Sequence, residues 1–141
     1  MAAGLLIYLA AGLIVFFDWV PTPLNRNIEG MSSAERLPST LIHGGIGIVL
    51  GTACLLGFWP AYWVAAIWYA VVFIAAVRNW WIPYFTGRPG GEISLEDYDK
   101  HYAGNPRFFS RGAGQIVPDV QHTLIHLALL AACLSALYAA L

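Results

Sequence analysis

Hydrophobic and polar positions along the 141-residue chain fall into long blocks rather than a helical or strand-like alternation. Apolar runs cover about residues 1–20, 41–59, 61–85 and 120–141, and most polar residues gather between them in 21–40 and 86–119. Each run matches the ~20 residues that an α-helix needs to cross a hydrocarbon core of about 30 Å. The pattern predicts an all-α fold: a single polytopic membrane domain over 1–141, a four-transmembrane-helix bundle with a long cytoplasmic loop between helices 3 and 4. The first run has no basic leader and no small-x-small cleavage site, so it is expected to be retained as a span.

Composition agrees with this division. Apolar residues make up 59% of the chain and charged residues 11%, against about 25% charged in a soluble domain. With a net charge of −1 and no basic run, nothing marks a nucleic-acid surface. Cys54 and Cys133 both sit inside apolar runs, which leaves no disulfide framework.

Charge also gives a sidedness. Arg26, Arg36, Arg78, Arg88, Lys100, Arg107 and Arg111 all lie at one end of a four-span topology. The positive-inside rule then places both charged loops in the cytoplasm and both termini outside the inner membrane, on the periplasmic side. Trp59, Tyr62 and Trp63 read as one interfacial belt, and Trp80, Trp81, Tyr84 and Phe85 as the other.

Within the polar segments, Ser32 to Arg36 is expected to form one helical turn. Gly87-Arg88-Pro89-Gly90-Gly91 is a turn-rich hinge, and Ser94 caps a short helix reaching about Tyr102. In the second span Gly47 and Gly51 form GxxxG, which predicts close helix packing within the bundle.

Ionisable groups within or beside apolar spans carry the functional content, because lipid tolerates them poorly. Asp18, His43, Arg78, Asp119, His122 and His126 come from four separate spans, yet all fall at the charged-loop end. Asp119, His122 and His126 share one helical face at i, i+3 and i+7, with Asp119 as the expected N-cap. His122, His126 and Asp119 are therefore the candidate catalytic residues, with a histidine as metal ligand or general base.

Histidines at i and i+4 can share an ion. His43, His122, His126 and Asp18 thus form a candidate metal set, suited to a divalent metal such as zinc or iron. Thr123-Leu124-Ile125 between the histidines lacks the glutamate of HExxH, which argues against a zincin protease. Haem held by His43 and His126 is a lesser alternative. Arg78, Arg107 and Arg111 are candidates for gripping a carboxylate or phosphate headgroup.

The expected function is an integral membrane enzyme or ligand-binding protein acting on an amphipathic or lipid-like molecule from the cytoplasmic leaflet. An accessory subunit of a larger membrane complex and an oligomeric transporter or channel are the alternatives. Membrane lipids, a homo-oligomer or a larger membrane complex are the expected partners.

Overall fold

A computed structural model describes residues 1–88 and 90–141. Pro89, part of the expected hinge, lies outside the described residues. Five helices follow in order: α1 (Ala2–Trp19), α2 (Ser33–Leu55), α3 (Trp59–Thr86), α4 (Leu95–His101) and α5 (Val120–Ala140). All but α4 are long and apolar enough to cross a membrane. Only 22–39% of the residues in the apolar stretches of these four are buried. Ile48, Val49, Val64, Ile67, Val71, Ile74, Leu127 and Leu134 all stand exposed. An outward face that apolar is matched to lipid rather than water.

The bundle is held by small residues. Ala10, Ala65, Ala66, Ala128, Ala132 and Ala136 pack with Ile7, Ile14, Leu129 and Tyr69 along its axis. α5 packs along α3 and α1, α1 packs along α2, and α2 and α3 touch only slightly. A Cβ at Gly47 would run into Ala11 Cβ, and one at Gly51 would stand 3.1 Å from the Tyr8 ring. The GxxxG face is therefore consumed inside the bundle, against α1.

One span differs from its expected limits, and two contain a widened turn. Helix α2 begins at Ser33, not near Leu41, because Ser32 and Glu35 close a capping box that starts a helix. Pro38 is carried inside that helix and is followed by a wide π turn over Thr40–Gly44. Helix α3 has a second π turn over Val77–Trp81, just before Pro83. Pro83 cannot donate to the carbonyl four residues back, that of Asn79, and crowds it with its ring; the wide turn before it relieves both. The two π turns lie at the same end of the bundle, where the histidines are.

The segment between α3 and α5, expected as a long loop, carries α4 and folds back as a cap. Ser94 accepts from the Asp97 amide to start α4. Trp80, Tyr98 and Ile116 form a second small core, joined by Trp81, Ile93 and Tyr102. Tyr98 is fully buried and donates to the Val117 carbonyl at 3.1 Å, tying α4 to the strand-like approach to α5. At the other polar segment, buried Asn25 donates to the Phe17 and Val20 carbonyls and closes the C-terminus of α1.

Candidate functional site

Asp18, His43, His122 and His126, from α1, α2 and α5, line one cavity of about 260 Å³. Ser39, Asn79, Trp80 and Gln121 complete its polar wall, and Ile14, Val72, Ile125 and Leu129 its apolar wall. His43 lies on the first π turn, and Asn79 and Trp80 on the second. A π turn advances the chain by an extra residue and re-aims its side chains, which is why such turns recur at functional sites.

Asp119 has no exposed surface and does not itself line the cavity. As N-cap of α5 it accepts from the His122 amide at 2.7 Å. The same oxygen, Oδ1, lies 2.8 Å from His122 Nδ1. Its other oxygen accepts from Asn105 Nδ2 at 2.7 Å. Burial alone would raise the Asp119 pKa, but His122 and the bonds from His122 and Asn105 outweigh it and hold the carboxyl below the usual range. Asp119 is thus ionised at neutral pH and acts on the cavity through His122.

The two histidines are fixed in opposite tautomers. Ionised Asp119 only accepts, so His122 Nδ1 carries a proton, and in the neutral ring Nε2 then keeps the lone pair. Trp81 Nε1 lies 3.0 Å from His126 Nδ1. An indole nitrogen only donates, so His126 Nδ1 is the acceptor and its Nε2 carries the proton. His122 therefore offers a base and His126 a donor, with ring centroids 6.1 Å apart. Trp80 stacks on His122 at 3.9 Å and Tyr102 meets it edge-on at 5.3 Å, which holds the ring in place.

This arrangement does not fit the expected metal or haem. His126 has no lone pair left to give, because Trp81 occupies the only one. Among the described residues no three His, Cys, Asp or Glu side chains lie close enough to hold one ion. Helical spacing placed the histidines on one face, and the indole beside them determined what they can bind.

The three arginines expected to grip a headgroup are engaged with the protein itself. Arg78 Nε donates to the Gly90 carbonyl at 2.8 Å. Arg107 donates to the Ala103 carbonyl at 2.9 Å and to the Tyr98 hydroxyl at 3.3 Å. Arg111 pairs with Asp99, donates to the Gln115 carbonyl and lies over the Tyr98 ring. None of the three is among the residues lining the cavity.

Residues that the sequence did not single out complete the site. Trp80 and Trp81 fit an interfacial belt in sequence, and in the structure they order the two imidazoles. Gln121 is 5% exposed, and its Oε1 is buried without a partner. Its place one residue before His122 in an otherwise apolar span was the only available signal. No protein-family model, curated protein or solved structure matches the chain.

Proposed function

We propose that this chain is an inner-membrane enzyme or binding protein that performs acid–base chemistry on an amphipathic molecule held in the cavity. Opposite tautomers of His122 and His126 in one chamber carry the reading. In the proposed step, a proton passes from the substrate to His122 Nε2, and Asp119 stabilises the imidazolium. The electron pair left behind moves onto a substrate oxygen, which accepts from His126 Nε2–H. Return of the proton to another substrate atom completes an isomerisation, with no further reactant.

Support for a lipid-like substrate comes from an apolar groove of about 460 Å³ between α2 and α3. It is lined by Leu41, Gly45, Ile46, Val49, Leu50, Val64 and Trp68. Trp68 stands beside His43 of the cavity, ring centroids 6.1 Å apart. A hydrocarbon tail in the groove and a polar head against the histidines would use both spaces. Unpaired Gln121 Oε1 supplies an acceptor for a hydroxyl or amide on that head. In this reading both termini are periplasmic and the seven basic residues cytoplasmic, so the head enters from the cytoplasmic leaflet.

Mass spectrometry of organic extracts from the purified full chain tests the proposal. An amphipathic molecule enriched over bulk lipid, and lost from both Gln121→Leu and His122→Ala, is the expected result. An extract identical to bulk lipid in all three proteins would overturn it.

A further inference from the structure

A second pocket, of about 390 Å³, lies between the first polar segment and α4. Arg26, Lys100 and His101 bring basic side chains to its wall, facing Glu35, Asn27 and Asn105. Arg26 and Lys100 are exposed and make no ion pair or side-chain hydrogen bond among the described residues. Glu35 is already engaged, since its Oε2 accepts from the Ser32 amide and hydroxyl, each at 2.7 Å. The wall therefore presents two exposed cations, Arg26 and Lys100, beside a carboxylate whose Oε2 is committed to a helix cap and whose charge offsets part of that of Lys100.

Asn105 defines the remaining chemistry. It is 3% exposed, and its Oδ1 is buried without a partner. The amide cannot turn round to donate instead, because Nδ2 is held by Asp119 Oδ2 at 2.7 Å and Asn27 Oδ1 at 3.1 Å. A carboxylate takes only a donor, so the oxygen is the atom left over. A buried acceptor without a donor costs about 1–3 kcal/mol. The pocket thus combines cations that suit an anion with an acceptor that an aprotic anion cannot satisfy.

We infer that this pocket binds a polyol phosphate, a phosphate ester bearing a free hydroxyl. Arg26 and Lys100 hold the phosphate, and the hydroxyl donates to Asn105 Oδ1. Two sources share this chemistry: a soluble glycerol phosphate and the glycerol headgroup of an anionic phospholipid. Asn105 also bonds Asp119, which orients His122. The occupant therefore lies three hydrogen bonds from the imidazole of the cavity, through Asn105 and Asp119, although its binding does not depend on what the cavity does.

Calorimetry on the full chain in phosphatidylcholine nanodiscs, titrated with glycerol 3-phosphate, sulfate (an anion with no proton to donate) and glycerol, tests the soluble source. Saturable binding of glycerol 3-phosphate about tenfold tighter than sulfate, lost in the Arg26→Gln/Lys100→Gln double variant, supports it. The lipid source is tested by amide exchange over residues 26–30 and 100–105. Protection in phosphatidylglycerol nanodiscs, but not in phosphatidylcholine or in the hydroxyl-free phosphatidylmethanol, supports a headgroup, and the same exposed-site variant removes it. If sulfate binds as tightly as glycerol 3-phosphate and the two anionic lipids protect equally, the hydroxyl plays no part and the inference fails. It fails equally if neither arm shows binding that the double variant abolishes.

Discussion

Trp81 Nε1 and His126 Nδ1 lie 3.0 Å apart, joining α3 to α5 by a hydrogen bond between two rings that sequence reading assigned to separate purposes. Trp81→Phe removes the donor and leaves the ring. Histidine ¹⁵N spectra should then show His126 changing from a single Nε2–H tautomer to a mixture. Stability should fall by about 1–2 kcal/mol, as one buried acceptor loses its partner. An unchanged ¹⁵N pattern would show that the indole does not set the tautomer.

Asp119→Asn should leave the helix cap in place, because the amide oxygen still accepts from the His122 backbone. It cannot fix His122 as an Nδ1–H donor in the way an ionised carboxylate does. The same spectra should show His122 losing its single tautomer. Asp119→Ala removes cap and orienter together and should cost about 3 kcal/mol.

The depressed pKa of Asp119 also has a sign. A carboxyl with a folded pKa below the unfolded value near about 3.9 stabilises the fold fully above that value. The contribution is lost as pH falls through the lower, folded pKa. Thermal stability of the full chain should therefore decline on the acid side, and Asp119→Asn should flatten that decline.

Gly47 and Gly45 make an internally controlled pair. A methyl at Gly47 collides with Ala11, whereas one at Gly45 meets nothing within 4 Å. Gly47→Ala should lower the melting temperature in detergent, by about 1–3 kcal/mol of overpacking. Gly45→Ala should leave it unchanged, and neither should alter the oligomeric state.

Topology is checked with reporters active only outside the cytoplasm. Fusions at Met1 and Leu141 should both be active, and insertions near Gly104 should not. Activity at the Gly104 site would invert the orientation.

The meeting of Asp18, His43, His122 and His126 was legible because span order alone sets depth, and ionisable groups stand out against apolar runs. Short-range rules also sufficed for Asp119 as a cap and for the helix after Ser94, whose signals span only a few residues. The partners of the histidines were not legible. Trp80 and Trp81 have the same appearance whether they meet lipid or a ring, and spans apolar on every face have no periodicity to reveal a rotation. Arg78, Arg107 and Arg111 carried the right charge for a headgroup, but backbone carbonyls and Asp99 are nearer to them.

The widened turns at Thr40–Gly44 and Val77–Trp81 sit on two spans that touch each other only slightly. A surplus residue in a helix can slip along it, one position at a time, and each slip swings the neighbouring side chains through about 100°. A slip at either turn would re-aim His43 or Trp80, both of which line the cavity, without breaking the helix that carries it.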